Sequence, residues 1–314
     1  MKAIRLLSSV DTFKGNIEKT STTNDNILFN LISQSTSDME RYTGRRLRGR
    51  TYGANGLEAE YHNGVVTNKL YVNEYPIISV SSLYDDVNRE FTNTSLKAPT
   101  EYMLWKDQGI VQLYNDATNG SVFSKGIGNI KLIYTAGYDD FEIITGINDS
   151  VDFNDGTSRT VTIPSGTYTS IDLANEVGDK MDGVSTDDIS CRYDNFTSKY
   201  TIISDGTVLT MNWATGTNWN GNIGRTMGFD TTADDASVLS YTSDYSVLGV
   251  PAELEQACLE LTLQKFEESR FGSNRFGVKT VQTIGQHAGM TTYESPRLPQ
   301  SVERVLKLYK RVIV

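Results

Sequence analysis

The sequence predicts an α+β chain: helices toward both ends, strands between them, and a second, β-rich domain inserted into the first. Three observations point there. Apolar residues recur at helical spacing at Ile27, Leu28, Leu31, Ile32, Met39 and Tyr42, and again at Leu254, Ala257, Cys258 and Leu261. Strand-like runs broken by Gly and Asp turns fill the middle. Charge is unevenly divided: residues 139–247 hold 18 acidic and five basic side chains, a net of −13, while the rest holds 21 acidic and 24 basic, a net of +3. Three regions follow: a flexible arm over 1–23, a host domain over 24–138 and 248–314, and an acidic β-rich insertion over 139–247.

Taken in order, residues 1–23 are rich in Ser and Thr and read as a loosely held arm. A helix is expected from Asn24 to Tyr42, with Asn24 or Asp25 accepting hydrogen bonds from its free amides and Gly44 as its stop. Leu57–Tyr61 and Val65–Val72 read as strands flanking His62-Asn63-Gly64, whose Asn-Gly pair suits a hairpin turn. A strand reaches Tyr84, and Asp85-Asp86 turns the chain. Tyr102–Trp105 and Ile110–Tyr114 flank Lys106-Asp107-Gln108-Gly109 as a second hairpin, and Ile130–Tyr134 closes the set.

Within the insertion, Val161 and Ile163 read as strand and Ser170–Val177 as a short helix capped by Ser170. Ile189–Tyr193 and Lys199–Ile203 read as strands, and Ser204-Asp205-Gly206 turns the chain into Val208–Trp213. Pro251 then opens a helix, with Glu253 and Glu255 at its positive end. Lys265 and Phe266 continue its face to an end near Gly272. Ser273–Pro299 reads as glycine-rich and irregular. A last helix follows from Pro299, with Val302, Val305, Leu306 and Tyr309 apolar.

The chain of 314 residues is long enough for two cores. No apolar run approaches the roughly 18 residues of a membrane span, and Met1–Leu7 is too short for a secretory signal. Cys191 and Cys258, the only cysteines, suggest idle thiols in a reducing compartment rather than a disulfide framework. Two histidines, His62 and His287, leave little for His-based metal sites or Ser-His-Asp catalysis. No phosphate loop, dinucleotide fingerprint or nucleophile elbow occurs. Asp152-Phe153-Asn154-Asp155-Gly156, Asp187-Asp188 and Asp234-Asp235 offer oxygens but lack a complete calcium loop, and they read as turns or solvated faces. No enzyme, cofactor or metal is expected.

The densest charged feature is Arg41, Arg45, Arg46, Arg48 and Arg50. These arginines could contact phosphates or carboxylates of a neighbouring subunit, or form a solvated helix end that offsets the dipole. No aromatic is interleaved closely enough for base stacking. Trp213, Trp219, Tyr241 and Tyr245 could supply flat contacts for a glycan, or fill a small β core.

A family resemblance rests on the order of motifs in the host. Tyr42-Thr43-Gly44-Arg45-Arg46-Leu47 is followed by Asn73-Glu74-Tyr75-Pro76-Ile77-Ile78-Ser79-Val80-Ser81-Ser82-Leu83-Tyr84-Asp85-Asp86, then Gly109-Ile110-Val111-Gln112-Leu113. Tyr134-Thr135-Ala136-Gly137-Tyr138, Val250-Pro251 and Leu298-Pro299 complete the series. The series resembles the head-to-tail connector, or head-completion adaptor, family of tailed bacteriophages. In that family the Gly-Tyr strand end passes within a few residues to the Val-Pro helix start; here residues 139–247 intervene. The insertion's Thr162–Tyr168, Arg192-Tyr193-Asp194 and Met227-Gly228-Phe229 are similar to a small β module of phage virion proteins.

The resemblance implies a small helical-bundle core with a β portion, made in the host cytoplasm and placed in the virion neck. It implies a ring of about twelve copies that extends the DNA channel between the portal protein and a tail or tail-completion protein. Non-specific contact with packaged DNA and no membrane contact follow from that position. Arg275, Lys279, Arg297, Lys307, Lys310 and Arg311 become candidate assembly residues, in and beside a loop that suits ordering on assembly. The alternative is a virion-surface binding module, for glycan or capsid, carried by the insertion.

Overall fold

A computed structural model describes residues 6–18, 20–53, 58–114, 122–270, 278–284, 288–293 and 298–311. The chain is α+β. Among the described residues it forms five α-helices: α1 (Val10–Asn16), α2 (Asp25–Thr43), α3 (Ser170–Asp182), α4 (Ala252–Arg270) and α5 (Gln300–Leu308). Two compact units result, one spanning Arg46–Val250 and the other Ile4–Arg45 with Pro251–Val314. The sequence groups residues 46–138 with the terminal helices; the structure groups them with the insertion.

In the helical unit, α2 buries Leu28, Ile32, Ser35, Thr36, Met39 and Thr43, a stripe at three- and four-residue spacing. Ile27 lies outside it and is exposed. The polar middle of the stripe is satisfied across to α4. The Thr262 hydroxyl donates to Ser35 Oγ at 3.0 Å, and Thr36 Oγ1 lies 3.8 Å from Cys258 Sγ. The helix stops at Gly44, whose φ of 71° is left-handed. The expected side-chain cap at Asn24 is not made; Asp25 instead pairs with Lys14 Nζ at 3.1 Å.

The expected loose arm is corrected over residues 6–17. Leu6, Leu7, Val10 and Phe13 are buried, and the Ser9 hydroxyl caps α1 by accepting from the Thr12 amide at 3.0 Å. Leu7 N–H donates to Thr36 Oγ1 at 3.1 Å, and Phe13 meets Phe266 edge-on at 6.0 Å. These four apolar residues anchor a segment whose Ser and Thr content suggested otherwise.

The host strands are β1 (Arg50–Tyr52), β2 (Glu60–Gly64), β3 (Lys69–Tyr71), β4 (Ile77–Asp85), β5 (Leu96–Lys97), β6 (Tyr102–Trp105), β7 (Ile110–Leu113) and β8 (Gly126–Ala136). Strand β8 is the spine: β1, β2 and β4 all pair with it antiparallel, and β5 extends β4. A separate sheet runs β3-β7-β6. The β6–β7 hairpin matches its expectation, with Gly109 at φ 65°. Leu70, Ile77, Leu83, Val111, Leu132 and Tyr134 are central to the host core.

The expected Asn63-Gly64 turn is corrected. Both residues belong to β2, which pairs with β8 rather than with β3. A Cβ on Gly64 would fall 1.6 Å from the Ser124 carbonyl oxygen, so this glycine serves close approach of two backbones. Asn63 Oδ1 accepts from the Gly128 amide at 2.8 Å, and Asn129 Oδ1 accepts from Gly64 N–H at 2.8 Å.

The insertion comprises β9 (Phe141–Ile143), β10 (Ser150–Asn154), β11 (Ser158–Thr162), β12 (Gly166–Tyr168), α3, β13 (Ile189–Asp194), β14 (Lys199–Ser204), β15 (Leu209–Met211), β16 (Asp235–Val238) and β17 (Ser240–Thr242). Its sheets run β11-β10-β15-β16, β12-β9 and β13-β14-β17. Ser204-Asp205-Gly206 therefore carries the chain from one sheet to another rather than closing a hairpin. Leu173, Val177 and Met181 of α3 join Phe153, Ile202 and Trp213 in a core separate from the host's. The cap of α3 is Thr169, whose Oγ1 accepts from Asp172 N–H at 3.1 Å, not Ser170 as expected.

Strands β18 (Val278–Ile284) and β19 (Ala288–Tyr293) pair with one another between α4 and α5. They replace the irregular segment expected there. Val, Ile, Thr and Tyr favour strand despite the surrounding glycines.

Candidate functional site

The arginine cluster does not form one basic face. Arg41 lies in the last turn of α2, is 81% exposed along its side chain, and pairs with Asp38 at 2.5 Å, a surface pair of small energetic weight. Arg45 is only 3% exposed. Arg46 is exposed, and its amide donates to Glu74 Oε2 at 2.8 Å. Arg50 is half-buried in β1 opposite Ala136. Arg48 is 2% exposed. Burial within the chain removes Arg45 and Arg48 from the expected set of DNA or subunit contacts and leaves Arg41 and Arg46 on the surface.

Arg48 holds the joint where the insertion leaves and rejoins the host. Its Nη1 donates to the Tyr138 carbonyl at 3.3 Å and to the Leu248 carbonyl. Its Nη2 lies 3.7 Å from Asp139 Oδ1, and Asp139 is 1% exposed. Asp139 also accepts from Ser170 at the start of α3, from the amide at 3.4 Å and the hydroxyl at 3.2 Å. The same guanidinium therefore ties the outgoing strand end, the returning segment at Leu248 and, through Asp139, the insertion's helix. A guanidinium suits this place because its fork of donors can serve several acceptors at once.

Backbone packing narrows the joint. Tyr138 N–H donates to the Leu47 carbonyl at 2.7 Å, and Gly49 N–H to the Tyr138 carbonyl at 3.1 Å. Gly137 has φ 111°, and a Cβ there would lie 2.7 Å from the Arg48 carbonyl; one on Gly49 would lie 2.6 Å from Asp139 Cβ. On the returning side, Tyr193 O–H donates to the Val247 carbonyl at 2.7 Å. Burial pushes the Tyr193 and Tyr200 phenols above their ordinary range. Asp139, Ser170 and Tyr193 are absent from the expected site residues. The sequence signal at this joint is Gly137 and Gly249, both at positive φ.

Among the C-terminal candidates, Lys307 is exposed and pairs with Glu303 at 3.3 Å. Lys310 Nζ lies 5.8 Å from the centre of the Tyr42 ring, and Arg311 N–H donates to the Thr43 carbonyl at 2.9 Å. Arg275 and Arg297 lie outside the described residues, and Lys279 is described only as a position in β18.

The acidic clusters hold turns. Asp152 accepts from Thr160 Oγ1 at 2.6 Å and from Asn218 N–H at 2.6 Å, while Asp234 accepts from Ala214 and Thr215 amides at 2.7 and 3.0 Å. Burial opposes the charged form of Asp155, but Ser185, Arg159 and the Thr157 amide outweigh it and hold its carboxyl below the ordinary value. Of the four aromatics, Trp213 and Tyr241 are in the insertion's core, with Trp213 stacked on Phe229 at 5.2 Å. Trp219 is 55% and Tyr245 62% exposed.

A cavity of about 190 Å³ in the host is lined by His62, Val65, Lys69, Tyr71 and Phe123, among others. His62 Nε2 lies 2.5 Å from Glu60 Oε1, whose other oxygen accepts from Tyr134 O–H at 2.5 Å. His62 is thus a strand residue beside a carboxylate, not part of a turn. Val65, at the cavity's rim, and Val66, Val122 and Ile127 are exposed at the same end of the β2–β8 pairing.

Compared with protein-family models and with curated proteins, the chain matches none. No helix among the described residues is long and apolar enough to cross a membrane.

Proposed function

We propose that the chain is a structural adaptor of the tailed-phage neck, forming a ring of about twelve copies between the portal and a tail component and extending the DNA channel. The observation that carries this reading is the joint. The host motifs run in connector order, and residues 139–247 begin and end on one buried arginine at the Gly137-Tyr138 strand end and the Leu248 carbonyl. That is where a connector passes directly from strand to helix. The exposed apolar group at Val65, Val66, Val122 and Ile127 supports the reading, because apolar surface on a subunit is available for burial against neighbours. The insertion's net charge of −13 favours a place away from channel DNA. Electron microscopy of the purified chain with its portal tests the proposal: stacked rings are expected, and a chain that stays monomeric and never joins the portal refutes it.

A second reading keeps the insertion as a binding module, because Trp219 and Tyr245 are exposed where a core role would have buried them. A glycan array probed with the full chain and with Trp219→Ala/Tyr245→Ala tests it. Signal lost in the variant supports the module; no signal from either protein removes it.

A further inference from the structure

The hairpin that follows α4 in the chain and precedes α5 has two edges with which no strand among the described residues pairs. Strands β18 and β19 are hydrogen-bonded to one another from Ile284↔Ala288 to Val278↔Tyr293, and no third strand joins them among the described residues. Among the described residues, their extensive contact is with each other. A two-stranded hairpin alone in water is marginal, and a third strand or a packed helix is what ordinarily stabilises one.

The strand sequences carry few of the devices that keep an edge from pairing. Val278–Ile284 reads VKTVQTI and Ala288–Tyr293 reads AGMTTY. Lys279 is the single charge in these thirteen residues, there is no proline, and eight are β-branched or aromatic. Solitary edges are ordinarily blunted by charge, proline or brevity. One irregularity is present, between Val278 and Thr280; the rest of the register is regular. Strong strand preference with open edges is the pattern of a sheet completed by another chain.

We infer that the β18–β19 hairpin is a subunit joint whose occupant is the same hairpin of a second copy of this chain. The edges fit each other by direction. Strand β19 of one copy laid against β18 of the next continues the antiparallel alternation already present within the hairpin. One rotation repeated around an axis then closes a band with no free edge, as head-to-tail contacts in a cyclic assembly do. The inference rests on the ring proposed above and specifies which backbone groups join it.

Hydrogen exchange on the full chain, read by mass spectrometry, tests it. Assembled and monomeric fractions, the former prepared alone or with portal, are compared over 278–284 and 288–293. Amides of both strands are expected to exchange on the order of tenfold slower, or slower still, in the assembled fraction. Val281→Pro/Thr291→Pro removes one amide donor from each strand and is expected to abolish assembly. Continued protection of Cys191 and Cys258 from thiol reagents would show that the variant remains folded. Rings whose hairpin amides exchange as fast as in the monomer, or a folded proline variant that assembles normally, overturn the joint while leaving the ring. A chain that never assembles, alone or with portal, overturns both. Protection that appears only where the portal or another protein is bound, and is absent from rings of this chain alone, overturns the second copy as the occupant.

Discussion

Replacing Arg48 by Met keeps most of the side-chain volume and removes the charge and the donors. What remains is a carboxylate, Asp139, 1% exposed, that still accepts from Ser170 but has lost its guanidinium. At 3.7 Å and an effective dielectric of 20, the lost attraction is about 4.5 kcal/mol. Removing one partner of a buried pair costs about 3–5 kcal/mol in general. The Tyr138 carbonyl keeps Gly49 N–H, whereas the Leu248 carbonyl loses its Arg48 donor. A loss of about 3–5 kcal/mol is therefore expected for Arg48→Met. Adding Asp139→Asn removes the stranded charge and should restore about 1–3 kcal/mol of it. Urea unfolding followed by tryptophan fluorescence, with Cys191 reactivity as a second probe, measures both. A cost below about 1 kcal/mol for Arg48→Met, the range of an exposed pair, would refute the clamp. So would a double variant no more stable than the single one.

Three further expectations follow from the same structure. Gly64→Ala places a methyl against the Ser124 carbonyl and should cost about 1–3 kcal/mol or more, while Gly15→Ala, with open space around it, should be neutral or stabilising by about 0.5–1 kcal/mol; thermal unfolding distinguishes them. Asp155 has its folded pKa lowered, so its contribution is present above its unfolded value near about 4 and fades as pH falls through that value toward the folded one. Asp155→Asn should accordingly destabilise at neutral pH, and its difference from wild type should shrink in acid, as urea midpoints across pH would record. Cys191 and Cys258 are buried, with burial pushing each thiol up to about 12, so neither should react with a thiol reagent until its own unit opens. Mass-resolved labelling in urea should show whether the two units open together.

The sequence was legible where a local rule decides the structure. Helices α2, α4 and α5 followed their apolar spacing, and the β6–β7 hairpin followed Gly109. It was illegible where a distant partner decides. Ser35 and Thr36 have no place in an apolar stripe read from sequence, because Thr262 and Cys258, which complete them, lie on another helix. Asn63-Gly64 carried a turn signal, yet the glycine answers to Ser124 across the sheet. Arg48 looked like one charge in a surface run; its partners stand 90 and 200 positions away. The arm at 6–17 was misread because four apolar residues outweigh many hydroxyls once α2 and α4 are present to cover them. The acidic character of 139–247 was visible from charge, but the residue that ties its two ends was not.

The central claim is that a connector host carries residues 139–247 as an insertion and assembles into a closed ring. Electron microscopy of the full-length chain bound to its portal tests it most directly. The expected image is a ring of about twelve subunits stacked on the portal, with the insertions projecting away from the channel. A chain that remains monomeric and unbound, or a ring with the acidic insertions lining the channel, would contradict it.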